Sequence, residues 1–202
     1  MLEEIKRLRA IAETGLLYSA NAYDKERYTE LYELSFGMLQ NISDREIADL
    51  KIHLPLGKDY PTAKPDIRGM LISPEKKLLL VKESADGKWS LPGGWGDIGF
   101  SPKEVVVKEF KEETGLDVSV DRLLAVFDKK MHPHPPQPFY VYKMVFLCTA
   151  LSTEIVPGFD VLDVAYFDIN ALPELSQDRI LQSQIETLFR RIAENNEAAL
   201  FD

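Results

Sequence analysis

Three carboxylates, Glu109, Glu112 and Glu113, crowd the segment EFKEETG. The segment reads as the last turn of a helix, the end that carries the negative pole of the helix dipole. A carboxylate there costs roughly 0.3–1 kcal/mol. Like charges three or four positions apart add a few tenths more. Something must compensate. One answer is ordinary: a solvated helix face with Lys108 and Lys111 as partners. The other is a hard divalent cation. Carboxylate oxygens suit Mg²⁺, which takes a few of them and leaves its other positions to water and substrate phosphates. The loop just upstream favours the second answer. Four glycines fall between Gly93 and Gly99, so backbone approaches a ligand closely there, and the carbonyl of Gly93 or Gly94 is a candidate further ligand.

The helix that carries the glutamates has clear ends. In Ser101-Pro102-Lys103-Glu104, Ser101 caps the third helical amide, Glu104 reaches back, and Pro102 takes the first helical position. Gly115 ends the helix. Val106 and Phe110, four apart, point into a core, while the glutamates share another face. Around this helix the pattern is one of strands. DIRGMLIS and KLLLVKE read as a hairpin from Asp66, and Lys88 to Leu91 as a short strand entering PGGWGDIG. LLAVFDKK, FYVYKMVFLCTA and VAYFDI follow as strands. Gln177 to about Asn195 reads as a closing helix with Ile180, Leu181, Ile185, Leu188, Phe189 and Ile192 inward. This order predicts an α/β sandwich with a mixed sheet, not a doubly wound one.

Ahead of the strands, residues 1–53 form a helical N-terminal region. Leu2, Ile5, Leu8, Ile11, Ala12 and Leu16 have helical spacing. Asp24 is the expected N-cap of a second helix to about Ile42. Two helices this short need further cover for their apolar faces, from the rest of the chain or from a second copy. LPLGKDYPTAKP, residues 54–65, reads as a linker, which leaves 66–202 as the main domain.

The chain has 202 residues, a net charge of −9 and a composition 45% hydrophobic and 28% charged. An acidic surface argues against nucleic acid or an anionic membrane as main partner. It does not exclude an anionic substrate, because a bound cation reverses the local sign. The single cysteine, Cys148, permits no intrachain disulfide and reads as a strand residue. MLEEIKRLRAIAE lacks the apolar core of a signal peptide, and no run reaches the ~18 apolar residues of a membrane span. The expectation is a cytoplasmic protein.

The segment GWGDIGFSPKEVVVKEFKEETGL, from Gly94 to Leu116, resembles the signature of the Nudix hydrolases, G-x5-E-x7-R-E-U-x-E-E-x-G-U with U a bulky aliphatic. Gly94, Glu109, Glu112, Glu113, Gly115 and Leu116 stand on its fixed positions with the right spacing, and Phe110 takes the place of an aliphatic. The resemblance implies an α/β/α sandwich and a Mg²⁺- or Mn²⁺-dependent attack of water on the diphosphate of a nucleoside diphosphate linked to another group. Two positions depart: Phe100 stands for the family's first Glu and Lys108 for its Arg. In the family that pair braces the helix. Phe100 cannot, and Lys lacks the bidentate fork of Arg. Asp97 is the nearby acid that can substitute in part.

The helical N-terminus, YPTAKPDIRG, WSLPGGW and HPHPPQPF together resemble a Nudix subgroup with a helical appendage, described as ADP-ribose or CDP-choline pyrophosphatases and dimeric through those helices. The resemblance implies metal ligands Glu109, Glu112 and Glu113 with a Gly93 or Gly94 carbonyl. It implies a general base that is either Glu112 or an acid in a later loop, with Asp160 first and Glu154 second. His132 and His134 are candidates for a phosphate or base contact, Trp95 and Phe100 for stacking or plain packing, and Asp97 and Lys108 for the substrate side of the loop. Two alternatives stay open: a nucleoside triphosphate pyrophosphohydrolase, and a nucleotide-sensing module without turnover.

Overall fold

The computed structural model describes residues 1–43 and 45–202. The chain forms two compact units, Met1–Ala63 with Pro136–Tyr140, and Lys64–Pro135 with Val141–Asp202.

The first unit is helical, with α1 (Leu2–Tyr18), α2 (Ala22–Gln40) and α3 (Ile47–His53). Asn21 caps α2 by accepting the Tyr23 amide at 2.8 Å. The expected cap, Asp24, lies inside the first turn and pairs with Arg27 instead. Asx residues compete for this role, and the one that is still extended wins it. Helix α3 went unanticipated, since seven residues carry no readable period. It helps build the core of this unit, where Leu50 and Leu54 pack with Ile5, Ala12, Tyr32, Phe36 and Leu39. Leu54 therefore belongs to this core and not to a linker. Its carbonyl accepts from Arg9 Nη2 at 3.1 Å.

The second unit holds two sheets. The larger has the order β4 (Gly93–Trp95), β1 (Lys64–Leu71), β6 (Val141–Ala150), β5 (Val118–Asp128), β8 (Leu200–Phe201). The smaller has the order β3 (Trp89–Ser90), β2 (Lys77–Glu83), β7 (Val161–Asp168). The strand β1 starts at Lys64, inside the expected linker, and runs parallel to β6 and antiparallel to β4. The expected hairpin of β1 and β2 is not one. The chain does turn tightly, with the Ser73 amide donating to the Lys77 carbonyl at 2.8 Å, but the two strands join different sheets, and an isolated bridge links Ile72, just past β1, to Leu78. Each is an interior strand with two neighbours of its own, so neither has an edge free for the other.

Two helices pack on this scaffold. The helix α4 (Pro102–Thr114) buries Val105, Val106 and Phe110 with Ile67, Leu71, Leu79, Val81, Val118 and Val164. The helix α5 (Gln182–Ala193) buries Ile185 and Leu188 with Met70, Leu78, Leu80, Phe127 and Val145. Alternate residues of β2 thus feed two cores, as period-two geometry requires. Ile180 and Leu181 are buried as expected but precede α5.

Candidate active site

The capping of α4 is that read from the sequence. The Glu104 amide donates to Ser101 Oγ at 3.3 Å, and the Ser101 amide donates to Glu104 Oε2 at 2.7 Å. At the other end Gly115 takes a left-handed conformation, φ 75°. The last carbonyls of α4 are not left open. The Gly158 amide donates to the Glu113 carbonyl at 3.0 Å and the Val156 amide to that of Thr114 at 2.9 Å. A side chain at 158 has no room, because a Cβ there would sit 1.9 Å from the Glu112 carbonyl oxygen. The loop before β7 is thereby fixed on the end of α4, and Asp160 comes with it. The glycine loop approaches from the other side. Glu109 Oε1 lies 2.4 Å from where a Cβ of Gly94 would stand.

The three glutamates differ. Glu113 is only 3% exposed, and Gly93 donates its amide to Glu113 Oε2 at 2.9 Å. Burial pushes its carboxyl up to about 8, against the Arg68 charge and the Gly93 amide. Glu109 is half-buried and also raised, first by burial, then by the neighbouring Glu112 and Asp160, with Lys108 and Arg68 opposing. Glu112 is exposed and sits 3.2 Å from Lys108 Nζ. Lys111 turns away to Asp117 at 2.9 Å, so the two-lysine version of the solvated face does not form.

Sequence reasoning missed the charge beneath the cluster. Arg68 is 6% exposed. Its Nε donates to Asp66 Oδ1 at 2.8 Å and its Nη1 to the Leu91 carbonyl at 3.0 Å, with Glu83 Oε1 at 3.6 Å. Asp66 also holds Lys143 Nζ. Glu83 accepts from Ser90 Oγ at 2.5 Å and pairs with Arg179 at 2.9 Å. Buried ions persist only when paired and hydrogen-bonded. Here burial is outweighed at both partners: Arg68 and Lys143 hold Asp66 below the usual carboxylate range, and Asp66, Glu83 and Glu113 hold Arg68 above its own. The signal was present: Asp66 and Arg68 alternate along a strand that is otherwise apolar after Lys64, which puts both on one face.

The remaining candidates scatter. Lys108 Nζ is 3.2 Å from Asp97 Oδ2, so the loop and α4 are bridged where the Nudix signature has Glu and Arg. Trp95 and Phe100 are each 48% exposed. Lys64 lies over the Trp95 ring at 5.8 Å. His132 Nε2 meets Asp202 Oδ2 at 2.9 Å, and His134 Nδ1 meets the Gln177 carbonyl at 2.6 Å. Neither bond involves a glutamate of the cluster, and burial pushes His134 down to about 4, so it is neutral near pH 7. Glu154 stays exposed in the loop. Burial pushes the Cys148 thiol up to about 12, which rules it out as a nucleophile. Among the described residues, no three His, Cys, Asp or Glu side chains stand close enough to hold an ion as placed. The physical reason is that Glu113 is turned to the Gly93 amide and Glu112 to Lys108.

Comparison with known proteins agrees with this arrangement. A family model described as "NUDIX domain" matches residues 63–188, and one described as "UDP-X-like, N-terminal oligomerisation domain" matches residues 1–53. The chain is 42% identical over 201 residues to the Bacillus subtilis protein named "Putative ADP-ribose pyrophosphatase YjhB", covering 100% of this chain and 96% of that one. It is 35% identical over 168 residues to an ADP-ribose pyrophosphatase of Methanocaldococcus jannaschii, covering 82% and 87%. Among solved structures, a UDP-X diphosphatase superposes with TM-score 0.65 at 34% identity over 99% of this chain and 97% of that one. Among the described residues no helix is long and apolar enough to cross a membrane. With the signature helix, the capping loops and the buried glutamate in place, this chain belongs to the Nudix hydrolase family.

Proposed function

We propose that the chain is a metal-dependent pyrophosphohydrolase that cleaves the diphosphate of a nucleoside diphosphate derivative, with ADP-ribose and CDP-choline first. The observation that carries this is the pair of raised carboxylates, buried Glu113 and half-buried Glu109, with Glu112 and Asp160 beside them. Arg68 and Lys108 offset the burial of these carboxylates only in part, and the carboxylate oxygens are the hard donors that Mg²⁺ or Mn²⁺ takes. Glu109, Glu112 and Glu113, with a Gly93 or Gly94 carbonyl, have the donor chemistry for a divalent ion and would hold one once Glu113 leaves the Gly93 amide and Glu112 leaves Lys108. When bound, the ion neutralises the diphosphate and lowers the pKa of a bound water.

The chain's own groups do the rest. Glu112 or Asp160 takes a proton from the attacking water. The loop before β7 keeps Asp160 at the end of α4 by the Gly158 and Val156 amides. Trp95 and Phe100, exposed on the glycine loop, are available to a planar base. Asp97 and Lys108 line the same loop. His132 and His134 are left for the substrate's distal part. Substituting Glu112→Gln and Asp160→Asn separately tells the two bases apart: loss of the acidic limb of the pH–rate profile marks the one that acts.

The similar proteins named for ADP-ribose and UDP-X support the diphosphate class and leave the base to experiment. The test is phosphatase-coupled release of phosphate from ADP-ribose, CDP-choline, UDP-sugars and nucleoside triphosphates, with Mg²⁺ and with Mn²⁺. Turnover of triphosphates at least tenfold more efficient than that of every diphosphate derivative sinks the reading. Binding without turnover of any of them makes the chain a nucleotide sensor. The proposal further includes a homodimer through residues 1–53 and a cytoplasmic location, the latter consistent with one buried, unreactive thiol.

A further inference from the structure

The departure of this chain from the Nudix signature has a structural consequence at Lys108. Where the signature places a Glu to pair with its helix Arg, Phe100 is half exposed and carries no charge. Lys108 Nζ instead stands 3.2 Å from Asp97 Oδ2 and 3.2 Å from Glu112 Oε2. Asp97 belongs to the glycine loop, and Glu112 to the last turn of α4. The loop around Asp97 is itself held: the Gly96 amide donates to the Pro65 carbonyl at 2.9 Å, and the Phe100 amide to the Asp97 carbonyl at 3.3 Å. One ammonium therefore ties a fixed loop to a carboxylate of the proposed metal site. Lys is suited to sharing in this way. Its ammonium is a compact point charge on a flexible stem, whereas the planar fork of Arg commits to one carboxylate.

We propose that Lys108 is a positioning residue that occupies Glu112 until a divalent ion arrives and then passes to Asp97, so that Asp97 sets how readily Glu112 is released to the metal. This rests on the reading that Glu112 is a metal ligand. The direction of each effect follows from charge alone. Removing the Lys108 ammonium frees Glu112 and takes a cation away from the site, so metal binds more tightly. Removing the Asp97 charge leaves Lys108 on Glu112 only, so metal binds more weakly. Both groups are exposed, so each effect is a few-fold and shrinks with salt. The mark of a shared ammonium is that Asp97 acts through Lys108. Without the lysine, the Asp97 charge has little left to do.

The experiment is Mn²⁺ titration by electron paramagnetic resonance at low ionic strength on the full chain, with melting temperatures in EDTA as a check on folding. The parent, Lys108→Met, Asp97→Asn and the double variant form a cycle. Lys108→Met should tighten Mn²⁺ by about two- to fivefold and Asp97→Asn weaken it by a similar factor, as for exposed ion pairs. The double variant should bind like Lys108→Met alone. If the two effects simply multiply, each charge acts on the ion independently and the shared-ammonium proposal is overturned. It is overturned too if Lys108→Met weakens Mn²⁺. A parent that binds no Mn²⁺ defeats the functional reading itself, which is a separate result from a parent that binds and a cycle that is additive.

Discussion

Glu113 concentrates the chemistry of this site in one carboxyl. It is buried, it accepts one backbone amide, and its pKa stands at about 8 against an ordinary 4.5. In the unfolded chain it has lost its proton by about pH 5, whereas the folded protein keeps it to about pH 8. Between those values the folded state binds more protons, so metal-free stability falls as pH rises. In EDTA, the melting temperature of the parent relative to Glu113→Gln should therefore decline from pH 5 to pH 8; a constant difference would falsify the burial account. With Mg²⁺ the order reverses, because only the native parent binds the ion well. Glu109→Gln and Glu113→Gln should each lower kcat by ~10²-fold or more, the scale of several kcal/mol of transition-state stabilisation. Arg68 is the counter-charge that the sequence problem of three glutamates called for, together with Lys108. Arg68→Met leaves Asp66 with Lys143 alone and Glu83 with Arg179 and Ser90, so it should cost about 3 kcal/mol of stability, the lower end for breaking a buried ion pair, read by denaturant melts. The alternation of Asp66 and Arg68 was legible, but their further partners were not, because Glu83 on β2 meets Arg68 and Lys143 on β6 meets Asp66 from positions distant in sequence.

The helix α4 was legible to its ends because every signal for it is local: a capping box, a proline at the first position, a glycine after the last. The strands β1 and β2 were legible as strands and misread as a pair, since pairing is decided by neighbours that local pattern does not name. Phe100 shows the same limit for a side chain. An aromatic residue beside a helix start suggests packing, yet here it is half exposed. Phe100→Ala should accordingly move the melting point little, within the ~0.5 kcal/mol usual for surface sites, and any larger effect should fall on KM for a base-bearing substrate. Gly158 predicts the opposite pattern. A methyl there meets the Glu112 carbonyl, so Gly158→Ala must lift the loop from α4. Both the melting temperature and kcat should drop, the second because Asp160 moves with the loop. A variant that keeps kcat while losing stability would take Asp160 out of the site.

The helical unit poses a question about the whole molecule. Its core is small and well defined, yet Leu8, Ile11, Leu17 and Leu34 remain exposed on α1 and α2, Leu34 to 56%. Short α3 covers one side and leaves these. Apolar side chains scattered singly need no explanation, but several on two adjacent helices are what an association surface would use. The match of residues 1–53 to a family described as an oligomerisation domain points the same way. The occupant expected is a second copy of the chain. Light scattering at micromolar concentration should give a dimer. Leu34→Glu, fully compatible with an exposed helix position, should shift it toward monomer without lowering the helix content seen by circular dichroism. A chain beginning near Pro61 should be monomeric or insoluble. Full-length protein that is monomeric at those concentrations removes the dimer and leaves the exposed leucines without a partner.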